Sequence, residues 1–235
     1  ELISLIWMGF LWIFLELFRR HARWWQAALV LGFLVLWVNS HGSFILGPVL
    51  ILIYAAGAYL TSVRASGYRH WWPAAEAYPL MGLGLAACVC CLINPFGLEL
   101  VRFAIGFGGN SGLQMLAGEW MPTLDRRVLG LRGFWIALSV WCLMLVSLLA
   151  RKKERDFTDI LLLVAFSILA SRAIRFPVYL GMVAACVLPG SASASWASIT
   201  MQRRLYQICC ALAGAGLLLA MKFGNASGSS PFVDP

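Results

Sequence analysis

Long apolar runs broken by short charged or Gly/Pro-rich stretches organise this chain. The first covers Leu2 to Phe18 and stops at Arg19-Arg20-His21-Ala22-Arg23. The second, Trp25 to Val38, breaks at Asn39-Ser40-His41-Gly42, and a third runs from Ser43 to Ser62. A fourth, Pro79 to Ile93, ends at Asn94-Pro95-Phe96-Gly97, since a residue before proline avoids the helical region. Further runs cover Gly133 to Ala150, Phe157 to Ala170, Pro177 to Leu188 and Leu205 to Met221, and residues 223–235 form a polar tail. A spanning helix needs roughly 20 mostly apolar residues. The pattern therefore predicts an all-α, polytopic integral membrane protein over residues 1–222, with about eight transmembrane helices, some short or re-entrant. Residues 98–132 form a mixed connection. It opens on an amphipathic stretch, Leu98 to Phe107, with Glu99 and Arg102 spaced i,i+3, suited to lying flat in the interface.

Composition agrees with a membrane class. Of 235 residues, 61% are hydrophobic and 12% charged, against about half and a quarter in soluble domains, and the mean hydropathy is +0.82. This excludes a soluble enzyme, a nucleic-acid module and a disordered chain. The net charge of +8 matters here through its placement rather than its sum. If the first helix ends inside, eleven Lys and Arg fall on inner loops and seven on the outer side. The positive-inside rule then puts both ends of the chain outside. Asn39, His41, Asn94, Glu99, Glu119, Asp125, Arg172 and Arg175 all fall on the outer side, which suggests one site at that boundary.

Seven cysteines lie within apolar runs without a C-x-x-C pair, so they read as small buried hydrophobes, and no metal is expected. No cofactor is implied either, for the chain lacks a phosphate-binding glycine loop, H-E-x-x-H and G-x-S-x-G. Glu1 opens inside an apolar run with no charged leader, so the chain is expected to be a piece of something longer and not to start with a signal peptide.

Four stretches could carry chemistry. Trp37 to Phe44 joins two runs so tightly that the helices must be antiparallel, with Gly42 supplying the backbone freedom. Asn39 and His41 either bind a phosphate or sugar hydroxyl there or cap helix ends that lack water. Asn94 sits in the helix break already described. Glu119-Trp120, with Asp125-Arg126-Arg127 nearby, offers a carboxylate whose ionised form is disfavoured at a low-dielectric boundary unless a cation pairs with it. Trp120 suits sugar stacking or an interfacial belt equally. Arg172 and Arg175, between two short runs, are costly within a membrane without an anion or water. Spaced i,i+3, they are expected to share a helical face, where they either clamp a phosphate bidentately or else snorkel to headgroups or pair with Glu119 or Asp125 to stabilise the fold.

The ordered set W-V-N-S-H-G-S-F (Trp37 to Phe44), N-P-F-G (Asn94 to Gly97), E-W (Glu119-Trp120) and S-R-A-I-R-F (Ser171 to Phe176) resembles a large group of bacterial multi-pass membrane proteins distantly related to the GT-C glycosyltransferases. Those enzymes use polyprenyl-phosphate sugars outside the cytoplasmic membrane. The resemblance implies a GT-C-like C-terminal half in the bacterial inner membrane, its motif loops on the periplasmic side, moving a sugar from a polyprenyl-phosphate carrier to an outer-face acceptor. On it, Arg172, Arg175, Asn39 and Asn94 bind the carrier phosphate and hydroxyls, Trp120 stacks on a sugar, and Glu119 and His41 position hydroxyls or assist proton transfer. The family's catalytic acid lies in a first outer loop, and no matching acid occurs here. The alternative is a non-catalytic, lipid-binding structural subunit of a larger membrane complex, with lipids and other membrane subunits as partners and no nucleic acid.

Overall fold

A computed structural model of the chain describes residues 2–66, 77–107, 123, 132–150 and 156–187. The described residues are all-helical, with no strand. They form α1 (Leu2–His21), α2 (Trp24–Val38), a 3-10 turn (Gly42–Ile45), α3 (Leu46–Ala65), α4 (Tyr78–Cys90), α5 (Leu98–Phe107), α6 (Arg132–Ala150), α7 (Phe157–Arg172) and α8 (Pro177–Val187). The apolar run at Leu205 to Met221 lies outside the described residues. By length and apolarity together, one described helix is able to cross a membrane, the 24-residue stretch Gly42–Ala65; Trp24–Val38, Tyr78–Cys90 and Phe134–Val146 are apolar but shorter. The chain divides into two compact units, Glu1–Leu116 with Asp156–Leu162, and Ala117–Arg155 with Leu163–Pro235.

In the first unit, α1 carries Arg19, Arg20 and His21 in its last turn, where cations complement the carbonyl end of a helix. It stops because Ala22 takes a left-handed φ of 46° and Arg23 is extended (φ −79°, ψ 138°). Two residues suffice for the reversal, so α1 and α2 lie antiparallel, and aromatic rings zip them together. Phe33 sits 4.3 Å from Trp7 and 5.9 Å from Phe10, and Trp7 stacks on Trp37 at 6.1 Å. Offset and edge contacts of this kind add to plain burial.

Helix α3 approaches its neighbours through glycines. A Cβ at Gly47 would stand 2.5 Å from a Leu34 methyl on α2, and one at Gly57 2.6 Å from the Thr158 Cα on α7. Residues without a Cβ let helix backbones approach this closely. Pro48 and Pro79 sit in the first turns of α3 and α4, where a missing N–H costs nothing. The core holds Met8, Leu11, Leu15, Leu34, Trp37, Leu50 and Ile51. The opposite face of α1 leaves Ile3, Ile6, Phe10, Ile13 and Leu17 exposed.

In the second unit, α6 packs on α8. The Trp141 indole donates to the Ser167 hydroxyl at 2.6 Å, tying α6 to α7. Met144, Phe166, Tyr179 and Val183 fill the core. Helix α7 stops at Arg172, residues 174–176 make a turn, and Pro177 opens α8. Proline suits that opening position because its φ is already helical and its absent donor would be unpaired anyway.

Candidate functional site

The candidate residues fall in both units, and each group is described within its own. In the first unit, α2 ends at Val38, and Asn39 caps it. The Asn39 amide donates to the Val35 carbonyl at 2.7 Å and to the Ile93 carbonyl at 2.8 Å, so one side chain satisfies carbonyls of two chain segments. The Asn94 amide donates to the Cys91 carbonyl at 2.8 Å and the Gly97 carbonyl at 3.2 Å, and its Oδ1 accepts the Phe96 N–H at 2.8 Å. This local ring of bonds replaces the helix ladder that Pro95 interrupts. Gly97 completes the turn at φ 52°, a conformation natural to glycine.

His41 belongs to a chain of neutral donors. The Trp37 Nε1–H donates to Ser43 Oγ at 3.2 Å, and Ser43 Oγ donates to Ser4 Oγ at 2.8 Å. The Ser4 hydroxyl lies 3.2 Å from His41 Nδ1, which also accepts the Ser43 N–H at 3.1 Å. An Nδ1 that accepts a backbone N–H carries no proton, so the tautomer with hydrogen on Nε2 fits this geometry. Ser4 and Trp37 are fully buried, which makes these bonds expensive to leave unmade.

Of the two roles sequence leaves open for Asn39 and His41, capping is the one these bonds perform. Gly42 does not supply the reversal through a left-handed φ. The Asn39-Ser40 turn and the extended His41 (φ −155°, ψ 135°) do so instead. Glu99 and Arg102 pair at 2.7 Å on α5, as their spacing predicts.

Glu119 and Trp120 lie outside the described residues, as do Asp125, Arg126 and Arg127. Arg172 and Arg175 belong to the second unit, and here the expectation of a shared helical face needs correction. Arg172 is the last residue of α7, whereas Arg175 sits in the turn that follows. Pro177 accounts for this, because a residue before proline is disfavoured in the helical region and proline cannot donate to the carbonyl four residues back, so one helix does not run on past this point. Arg172 is exposed. Arg175 is half-buried, its guanidinium 5.9 Å from the centre of the Phe176 ring. Among the described residues no carboxylate forms a salt bridge with Arg172.

Beside this turn, an open groove of about 280 Å³ runs between α6, α7 and α8, lined by Phe134, Leu138, Trp141, Ala170 and Leu180. Ser171 and Pro177 also line it, so both ends of the arginine-bearing turn form part of its wall. The hydroxyls that reach the groove are already engaged. Thr123 donates to the Ala170 carbonyl, Ser167 to that of Leu163 and Ser171 to that of Ile168. What remains for an occupant is an apolar wall bordered by the turn that carries Arg172 and Arg175.

One polar centre escapes sequence reasoning. Asp156 pairs with Arg19, accepts the Thr158 N–H at 2.9 Å and stands 3.5 Å from the Thr61 hydroxyl. Burial disfavours its charge, but the Arg19 guanidinium and the Thr158 donors outweigh that and hold the carboxyl below its usual range. The D-x-T spacing before an apolar run is a legible cap signal. The partner, 137 residues away, is not. No group of histidine, cysteine and carboxylate side chains suited to a metal occurs among the described residues. Comparison of the chain with family models, curated proteins and solved structures gives no match.

Proposed function

We propose that this chain is a multi-helix subunit of a bacterial inner membrane that binds an anionic lipid, its phosphate held at Arg172 and Arg175 and its hydrocarbon chain in the groove between α6, α7 and α8. The observation that carries this reading is the groove itself, apolar along its walls and edged by a turn bearing two arginines. Guanidinium forks match phosphate oxygens bidentately, and a cation at a membrane boundary is stabilised by such an anion. The exposed apolar faces of α1 and α4 support a membrane setting, since contiguous patches of this kind are rare on soluble monomers. The occupied side chains of Asn39, His41 and Asn94 favour a structural over a catalytic part for that cluster.

The motif order from Trp37 to Phe176 favours a second reading, in which the lipid is a polyprenyl phosphate and the chain is part of a GT-C-like glycosyltransferase using Glu119 and Trp120. Both readings place the phosphate on the same arginines. Native mass spectrometry of the full chain, released from nanodiscs with phosphatidylglycerol and phosphatidylcholine, tests the site. The wild type retains the anionic lipid, and Arg172→Gln with Arg175→Gln lowers retention about tenfold, as loss of a charge-assisted bidentate contact would. Ala137→Trp, which fills the groove, lowers retention while leaving both arginines in place. Equal retention of both lipids by all forms overturns the proposal. Sugar transfer from a polyprenyl-phosphate donor, abolished by Glu119→Gln, would favour the enzyme.

A further inference from the structure

The α1–α2 turn, at the far end of α1 from the His41 cluster, has a separate character. Arg19 is engaged by Asp156 and Arg20 by Glu16, at 3.3 Å. No described carboxylate forms a salt bridge with Arg23. Next to it Trp24 is 81% exposed and Trp25 41% exposed, the former the most open large apolar side chain among the described residues. The turn is nonetheless firmly built. Gln26 is buried, and its Oε1 accepts the Arg23 N–H at 3.1 Å, which fixes the first turn of α2 and the direction in which both indoles leave it. An exposed ring on a fixed backbone keeps a large apolar surface in water unless something takes it up.

We propose that Arg20, Arg23, Trp24 and Trp25 form an interfacial anchor that engages the headgroups of anionic phospholipid. The chemistry selects that partner. Indole is apolar with one donor, and it sits at the headgroup level of a bilayer. Arginine beside it is drawn to negatively charged lipid. Apolar faces begin directly beyond the turn, at Leu17 on α1 and Leu29 on α2, which suits hydrocarbon and not a nucleic acid or an acidic peptide. Charge distribution along the sequence assigns this end to the inner leaflet. The site is distinct from the groove at Arg172, but the inference shares with the proposed function the premise that the chain inhabits a membrane.

The test reconstitutes the full chain in nanodiscs containing either phosphatidylglycerol or phosphatidylcholine brominated near the headgroup end of its acyl chain. Subtracting the Trp24→Phe variant isolates Trp24 among the eleven tryptophans. Being so exposed, Trp24 is replaceable without loss of fold, and circular dichroism of the variant checks this. The Trp24 signal is expected to be quenched about twofold more by the anionic lipid, and Arg20→Gln with Arg23→Gln is expected to abolish the preference while quenching persists. Equal quenching by both lipids in the wild type overturns the anchor and leaves the groove proposal standing. Absence of quenching of any tryptophan by either lipid overturns the membrane premise, and both proposals with it.

Discussion

The two ends of the first unit solve the same problem with different chemistry. At one end Ser4, Asn39, His41, Ser43 and Asn94 satisfy helix termini and each other with neutral groups. At the other, Arg19, Asp156 and Thr61 meet through charge. The neutral end includes fully buried atoms, whereas the Arg19 and Asp156 side chains keep 38% and 21% of their surface. Desolvating a buried ion pair can cost more than its Coulomb gain when its remaining lone pairs and protons are left unsatisfied. A buried hydroxyl–imidazole chain carries no such cost. The comparison teaches that polar groups are tolerated deep in this unit as neutral, fully bonded networks, while charge is kept where water still reaches it.

Breaking the neutral end should have the larger effect. Trp37→Ala removes a fully buried ring that stacks on Trp7 and donates to Ser43, and a loss of about 3–5 kcal/mol is expected. Thermal unfolding in detergent, followed by circular dichroism, measures it. Trp37→Phe separates the two contributions, since it keeps a ring and loses the donor. Ser43→Ala strands the buried Trp37 N–H and leaves the Ser4 hydroxyl with His41 Nδ1 alone, at an expected cost of about 1–3 kcal/mol. A Ser43→Ala variant as stable as the wild type would mean that the hydroxyl chain is incidental.

Next in size is the crowding of α3 against α7. Gly57→Ala places a methyl 2.6 Å from the Thr158 Cα, backbone that has no rotamer in which to retreat. Overpacking of this kind costs about 1–3 kcal/mol. The paired variant Gly82→Ala, where a Cβ meets nothing within 4 Å, is the control and should be neutral or slightly stabilising through helix propensity. Equal melting temperatures for the two would refute close packing at Gly57.

How much of this was legible in sequence differs by region for physical reasons. Local chemistry was readable. The break at Asn94-Pro95, the tight connection around His41 and the Glu99–Arg102 pair are each set by residues within a few positions of one another, and the structure has all three. Long-range pairing was not. Nothing in a charged run at 151–156 says that Asp156 meets Arg19, because helix packing decides it. Ser4, inside an apolar run, gave no sign of its hydroxyl partners. Arg172 and Arg175 misled for an intermediate reason. Spacing suggested one face, but Pro177 had already ended the helix between them. Glu119 and Trp120, central to the enzymatic reading, lie outside the described residues.

The smallest effect is expected at the charged end, and it is the one that pH can reach. Asp156 has a folded-state pKa below its unfolded value near about 4. Its contribution is therefore complete above that unfolded value and drains away as pH falls through the lower folded one. Arg19 is shifted the other way: burial opposes its charge, Asp156 more than compensates, and its pKa is raised. Its contribution would disappear only in extreme alkali, as pH rose through that raised value. The pair thus gives acid sensitivity without sensitivity near neutrality. Because Arg19 is more than a third exposed, solvent screening holds the gain to about 1 kcal/mol or less. Asp156→Asn should lower the melting temperature slightly at pH 7, and the difference from wild type should shrink as pH falls below about 4 towards the lower folded value, beneath which both forms lack the carboxylate. A difference that instead grew on acidification would mean that Asp156 is not the ionised partner of Arg19, and the contrast between a neutral and a charged end would fall with it.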